Sequence, residues 1–198
     1  MAKIDVCEIR GPLIDLIDKL SGEEGSEWLS SLKLMLKKVS LSVLRLITTV
    51  SVLGAKKFVA ADAFGPNNHD GIKFFLGENF KKNFLGKIEK NVEPAEIAVH
   101  RLEEGRRNPE IMAELGPEKR VISLAHFYNL IKAQAQGQEG PLLVNDYANI
   151  ACIEDDQGTI WAVGGDWRSC GHGWGVGACS AGGPIEWVAG CQVLSQVY

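Results

Sequence analysis

The 198-residue sequence predicts an α+β fold, with a mainly antiparallel sheet, packed helices and a helical N-terminal appendage. Apolar residues repeat at helical spacing near the N-terminus and in two later segments, whereas other segments alternate between apolar and polar residues as half-buried strands do. Short turns rich in Gly and Asp separate the C-terminal segments and favour β-hairpins. We therefore expect a helical extension over residues 1–43 and an α+β domain over residues 44–198 that ends in Trp- and Gly-rich hairpins.

Two amphipathic helices are expected in the extension. Pro12 suits the first turn of a helix, where its missing amide hydrogen costs no bond. The segment Ser21–Glu24 has the pattern of a capping box, which would start the second helix. The apolar positions of the two helices recur every three or four residues: Leu13, Leu16, Ile17 and Leu20, then Trp28, Leu32, Met35, Leu36 and Val39.

The next segments predict strands. From Leu44 onward, alternate residues are apolar, which favours a strand, with continuation of the preceding helix as the alternative; Gly54 ends the segment in either case. The segments 57–61 and 72–76 each resemble a strand, and the polar loop 65–71 between them predicts that they pair as a hairpin.

The middle of the chain predicts two helices and one further strand. Phe80, Phe84, Leu85 and Ile88 give one helix an apolar face, and a strand follows over residues 96–102. The segment 109–115 fits a short helix or a strand. Ser123 is placed to cap a second helix, which Gly137 would end.

The last 58 residues hold four of the five cysteines, four of the five tryptophans and ten of the 22 glycines. Segments 147–153 and 159–163 predict one hairpin, and segments 174–179 and 185–194 predict another.

Glycine occupies every second position between residues 171 and 177. Side chains alternate between the two faces of a strand, so one face of this strand would be bare. The opposite face would carry Cys170, His172, Trp174 and Val176. A helix, a ligand or a partner can approach such a bare face closely.

Charge and composition exclude several classes of protein. The net charge of −4 argues against a wholly basic nucleic-acid-binding protein. Residues 28–61 carry six basic residues and no acid, a pattern typical of a solvated helix face. The N-terminus lacks the pattern of a secretory signal, and no apolar run reaches the roughly 20 residues that span a bilayer. We expect a cytoplasmic protein without a membrane span, whose odd number of cysteines leaves at least one thiol free.

A Cys/His pair is the enzymatic hypothesis. Cys170, or alternatively Cys152, would be the nucleophile and His172 the base, with Asp166 or Asp146 orienting the imidazole. The sequence marks no oxyanion hole, because no helix is predicted directly after Cys170. This arrangement would support a thiol-dependent hydrolase or transferase.

A small zinc-stabilised domain is a further alternative, since Cys152, Cys170, His172, Cys179 and Cys191 are suitable ligand types. Their spacing matches no zinc motif, and strand parity puts Cys179 on the glycine face, so we assign no metal ligand. No phosphate-binding loop or dinucleotide fingerprint occurs, and no cofactor is predicted. The polar loop 67–71 has the composition of a turn.

Tryptophans of the C-terminal sheet are the candidate binding residues: Trp161, Trp167, Trp174 and Trp187. Aromatic side chains on adjacent strands can form a platform for a ligand or a partner, and core packing is the alternative. Six acids against Arg168 in residues 141–198 disfavour nucleic acid. We therefore expect a binding module for a protein or an uncharged ligand, with self-association through this sheet or the N-terminal helices as a second possibility.

Four segments resemble a family of small, uncharacterised proteins from candidate-phylum bacteria. These segments are Leu85-Gly86-Lys87-Ile88-Glu89, Ala113-Glu114-Leu115-Gly116, Tyr147-Ala148-Asn149-Ile150 and Gly173-Trp174-Gly175-Val176-Gly177-Ala178. The resemblance covers about residues 47–198 and implies a bacterial origin but no activity. It leaves the first 40 residues as a separate extension.

Overall fold

The computed structural model describes residues 6–39 and 43–197, and the chain divides into two compact units, residues 1–42 and 43–198. In the first unit, helix α1 (Val6–Ser21) packs on helix α2 (Gly25–Val39). The predicted capping box at Ser21 is wrong, because Ser21 ends α1 and its Oγ donates a hydrogen bond to the Ile17 carbonyl. The predicted first-turn position of Pro12 is also wrong, because α1 begins at Val6 and Pro12 lies inside it.

The second unit contains eleven strands and four helices in its described residues. The strands are β1 Leu44–Val52, β2 Ala55–Val59, β3 Phe74–Leu76, β4 Ile88–Val92, β5 Ala95–Leu102, β6 Arg106–Arg107, β7 Asn149–Glu154, β8 Ile160–Arg168, β9 Gly173–Ser180, β10 Glu186–Trp187 and β11 Gln192–Gln196. The helices are α3 Ala60–Phe64, α4 Glu78–Phe84, α5 Asn108–Leu115 and α6 Leu124–Ala133. None of the described helices is long and apolar enough to cross a membrane.

Seven strands form one sheet in the order β1-β5-β11-β7-β8-β9-β3. Neighbouring strands are antiparallel except for β11 with β7 and β3 with β9. Two smaller pairs, β2 with β4 and β6 with β10, complete the strand pairing. This mostly antiparallel sheet with packed helices confirms the predicted α+β class.

Some local predictions are confirmed. The segment that begins at Leu44 is a strand, and segments 147–153 and 159–163 overlap the antiparallel pair β7 and β8. The ambiguous segment 109–115 belongs to helix α5. Ser123 caps α6, since its Oγ accepts a hydrogen bond from the backbone amide of His126.

Two predicted hairpins are wrong. The segments 57–61 and 72–76 do not pair: β2 pairs with β4, and β3 pairs in parallel with β9. The segments 174–179 and 185–194 do not pair either, because β11 lies between β5 and β7. Four of the five residues of β11 are buried, so this strand is stabilised in the centre of the sheet rather than at the end of a hairpin.

A β-bulge changes the orientation of β1. The register with β5 shifts between Leu46 and Thr48, so Leu44 lies opposite Leu102 while Val50 lies opposite Ile97. The predicted single apolar face from Leu44 to Val52 is therefore divided between the two faces of the sheet.

Helix α6 covers one face of the central strands. At its N-terminus the Glu89 carboxylate accepts hydrogen bonds from the backbone amides of Leu124 and Ala125, at 3.0 and 2.8 Å. At its C-terminus the Trp174 indole N–H donates to the Gln134 carbonyl at 3.0 Å. Both ends of the helix are thus held by polar groups of other segments.

Gly165 of β8 permits the close approach of α6. A Cβ atom at this position would lie 2.9 Å from Cζ of Phe127 and 3.7 Å from Cδ1 of Ile131. Both of these side chains are fully buried, so neither has open space into which it could move.

We predict that Gly165→Val lowers the free energy of unfolding by about 1–3 kcal/mol, because the added methyl groups overfill a packed core. Urea denaturation measures the loss. Gly177→Ala is the matched control, since a Cβ there meets no atom within 4 Å. Equal stability of Gly165→Val and the unmodified protein would contradict this account of the helix–sheet contact.

Candidate functional site

The two faces of strands β8 and β9 differ in character. One face packs under α6 and carries the cross-strand pairs Val163 with Ala178, Gly165 with Val176, and Trp167 with Trp174. The opposite face carries Ala162 with Cys179, Gly164 with Gly177, Asp166 with Gly175, and Arg168 with Gly173. The alternation of glycines therefore leaves a face of β9 bare from Gly173 to Gly177, as the sequence predicts.

Different groups approach the bare face along its length. Over Gly175 lie the side chains of Asp166 and Arg168, with Arg168 Nε and Asp166 Oδ2 at 2.5 and 2.7 Å from the position of a Cβ. The indole of Trp187 lies 3.3 Å from the corresponding position at Gly164. At Gly177 no atom lies within 4 Å. The space above Gly177 is therefore open.

This open space belongs to a groove of about 250 Å³. Most of its lining residues are small or apolar: Gly77, Ala148, Ala162, Gly164, Val176, Gly177, Ala178, Cys179, Ile185 and Trp187, with Asp166 and Arg168 as its charged residues. We name it the glycine groove. Its small side chains leave room for an apolar group to contact the backbone of the sheet.

Trp187 forms a wall of the glycine groove and is fixed in position. Its indole N–H donates a 2.6 Å hydrogen bond to Oδ1 of Asn108. Asn108 is buried, and its amide nitrogen in turn donates to the Ser180 carbonyl at 3.4 Å. Trp187 also belongs to β10, which pairs with β6. The wall is therefore preformed.

Cys179 is the thiol of the glycine groove. Its Sγ donates to the Ala162 carbonyl at 3.6 Å and lies 3.6 Å from the amide nitrogen of Asn108. Burial raises the pKa of this thiol above its ordinary value, against a smaller opposing effect of Asn108. The group is therefore a neutral thiol at neutral pH, suited to contact rather than to nucleophilic attack.

An ion pair supplies the charged part of the glycine groove. Arg168 Nε donates to Asp166 Oδ2 at 3.1 Å, and the guanidinium lies 5.4 Å from the ring centroid of Phe75. The two opposite charges leave this part of the groove with no net charge.

Three apolar side chains extend the surface near the groove. Ile185 and Val188 flank Trp187 in the sequence and are 44% and 61% exposed. Tyr147, which precedes the groove residue Ala148, is 42% exposed, and its ring lies 3.0 Å from the position of a Cβ at Gly190. An exposed apolar surface beside a groove is typical of a protein-binding site.

The other candidate tryptophans lie on the helix-covered face. Trp174 is fully buried and Trp167 nearly so, with their rings 5.8 Å apart in an edge-to-face arrangement. Trp161 packs against the same core, and its indole N–H donates to Oδ2 of Asp155. Of the four predicted binding residues, Trp187 alone lines the glycine groove.

The predicted catalytic residues do not form a hydrogen-bonded triad. Cys170 and His172 lie in the turn between β8 and β9 rather than on the strand, both are exposed, and His172 has a positive φ of 45°. Asp166 binds Arg168 and not His172. A turn closed by the hydrogen bond from the Gly171 amide to the Arg168 carbonyl, at 3.1 Å, replaces the start of the predicted strand. A Cβ at Gly171 would lie 2.7 Å from the Phe75 ring.

The cysteines considered as zinc ligands are dispersed. Cys152 and Cys191 are buried, Cys179 is half-buried and Cys170 is exposed. Within residues 6–39 and 43–197, no group of three or more His, Cys, Asp or Glu side chains is placed to hold a metal ion.

The polar loop 67–71 has a structural role in its observed geometry. Asn68 bonds both the amide and the carbonyl of Ile72, which fixes the loop. Asp70 accepts hydrogen bonds from Lys132 and from the Tyr128 hydroxyl, at 2.8 and 2.6 Å, and these two donors lower its pKa. Burial, together with Asp70, raises the pKa of Tyr128. These contacts tie the loop to α6.

Sequence reasoning misses the groove residues Ala148, Ala162 and Ile185, and it misses Asn108 as the partner that holds Trp187. Asn108 precedes Pro109 at the start of a helix, and an Asn–Pro pair indicates a turn. It does not indicate that the Asn side chain accepts a hydrogen bond from a tryptophan. The alanines carry no chemical signal. Only the tertiary fold brings the segment 185–188 over β8 and β9.

Comparisons of the chain with protein-family models, with curated proteins and with solved structures found no match. The resemblance of residues 47–198 to the candidate-phylum family therefore stays a prediction.

We predict a fixed order of alkylation among the four described free cysteines. Cys170 is exposed and should react first with iodoacetamide in the native protein. Burial raises the pKa of Cys152 to about 11, so this thiol should react only after unfolding. Peptide mapping over time gives the order. Reaction of native Cys152 at the rate of Cys170 would contradict the described packing.

Proposed function

We propose that the protein is a binding module whose glycine groove takes up one apolar side chain of a protein partner. The observation that carries this proposal is the open space above Gly177 beside the fixed indole of Trp187. A preformed site of this kind avoids the entropic cost of ordering its wall at the moment of binding.

The size of the groove supports a single side chain as its occupant. Its volume of about 250 Å³ lies below the roughly 300–1,000 Å³ of sites for drug-sized ligands and cofactors. A side chain inserted from a partner needs no larger cavity, since the remainder of the partner would contact the exposed surface formed by Tyr147, Ile185 and Val188.

The charge of the groove supports an uncharged apolar group. Its ion pair of Asp166 and Arg168 is internally neutral, and the six acids of residues 141–198 disfavour a phosphate backbone. We further propose a cytoplasmic protein, because none of the four described cysteines is paired and a reducing compartment maintains that state. A bacterial origin is proposed on the family resemblance of residues 47–198 alone.

We predict that capped amino acids bind in the glycine groove with millimolar dissociation constants. N-acetyl-leucinamide and N-acetyl-tryptophanamide are suitable probes, and a dissociation constant of 1 mM corresponds to about 4 kcal/mol. Titration followed by ¹H–¹⁵N NMR should shift the backbone amides of Gly164 and Gly177 and the indole N–H of Trp187. Shifts confined to residues outside the groove would refute the proposal.

The variant Gly177→Leu should weaken this binding at least about tenfold, because a Cβ there meets no atom within 4 Å and the rest of the side chain would extend into the space that the ligand takes. The control is Gly86→Leu, which also meets no atom within 4 Å of its Cβ but lies away from the groove. The spectrum of each variant shows whether the fold is retained. Unchanged affinity in folded Gly177→Leu would exclude the groove as the binding site.

A further inference from the structure

The hairpin of α1 and α2 exposes its apolar side chains. Among residues 11–33, whose side chains the structure describes, none is buried. Five large apolar residues are from 38% to 60% exposed: Leu13, Ile14, Ile17, Trp28 and Leu29. Leu16, Leu20 and Leu32 are only half-buried. The described part of the hairpin therefore contains no closed core.

Packing is what stabilises helices of this length. Helices of 16 and 15 residues are at or just above the length of about 12–15 residues below which isolated helices are marginal in water, and most helical stability in proteins comes from packing of an amphipathic face. Amphipathic helices in proteins gain their stability by burying the apolar face. The exposed apolar side chains of this hairpin are buried only when another surface covers them.

Charges are segregated along the hairpin. The turn end, residues 15–27, carries five acids (Asp15, Asp18, Glu23, Glu24 and Glu27) and one base, Lys19. The opposite end of α2, residues 28–39, carries three lysines and no acid. Each hairpin thus has an acidic end and a basic end.

We propose that two copies of this chain associate through their α1–α2 hairpins, packed antiparallel so that the turn end of each copy meets the basic end of the other. Such an arrangement is a four-helix bundle with two-fold symmetry, in which the exposed apolar faces form the shared core. A parallel arrangement would bring the two acidic turns together and is disfavoured by repulsion.

The second copy is the occupant that the charge pattern favours. Each hairpin supplies both the acidic and the basic partner, so one surface is complementary to itself, as a two-fold interface requires. Lys19 of α1 connects the two helices at the surface: its Nζ lies 4.6 Å from the Trp28 ring centroid and 3.0 Å from Oδ2 of Asp15.

Sedimentation equilibrium of the full chain tests the proposal. We expect twice the chain mass of 21.6 kDa, and a monomer for the double variant Leu13→Glu, Ile17→Glu, since two charges in the shared core are desolvated without partners. Ser26→Glu adds a negative charge at an exposed position of the acidic turn end, outside the apolar set, and should remain dimeric. A monomeric unmodified chain would overturn the proposal and indicate that another surface covers the hairpin.

The orientation is tested by Glu23→Lys with Glu24→Lys, which leaves the apolar face intact. In the antiparallel arrangement this change should raise the dimer dissociation constant at least about tenfold at low salt, and less at high salt, because it removes attraction between exposed charges. A stronger dimer would refute the antiparallel packing. A dimer insensitive to Leu13→Glu, Ile17→Glu would place the interface elsewhere and also overturn the proposal.

Discussion

The close contact between α6 and the sheet is the constraint on which the second unit depends. Phe127 and Ile131 lie against Gly165, where a side chain would collide with the helix. Because α6 occupies this face, the large side chains of β8 and β9, including Trp174, are buried beneath it. The opposite face then carries glycines and small residues beside the ion pair of Asp166 and Arg168. The core and the glycine groove therefore both follow from the alternation of glycines with larger side chains along β9.

The groove is open because nothing fills the space over Gly177, and it has a defined shape because Asn108 holds Trp187. Asn108 is buried and also bonds the carbonyl of Ser180 at the end of β9, so one amide side chain connects the wall to the floor. Buried polar groups that are fully paired fix a unique arrangement. The glycine groove is therefore part of the folded scaffold rather than a gap in a loop.

The sequence predicts local features of this fold better than distant ones. The bare glycine face and the Ser123 cap follow from periodicity and local chemistry, and both are found. The pairing of β11 with β5 and β7 depends on contacts between distant segments, which no local pattern encodes. Composition likewise identifies four tryptophans as candidates but does not show what surrounds each of them. Only the tertiary structure distinguishes the groove residue Trp187 from the core residue Trp174.

The most direct test of this account is a nuclear Overhauser measurement on the unbound protein. The central claim is that Trp187 forms a fixed wall over Gly164, its ring 3.3 Å from the position of a Cβ. The account predicts strong cross-peaks between the outer ring protons of Trp187 and the Hα protons of Gly164, together with a Trp187 indole N–H that exchanges slowly with solvent. A Trp187 ring without contacts to Gly164, or an indole N–H that exchanges as fast as a free indole, would contradict it.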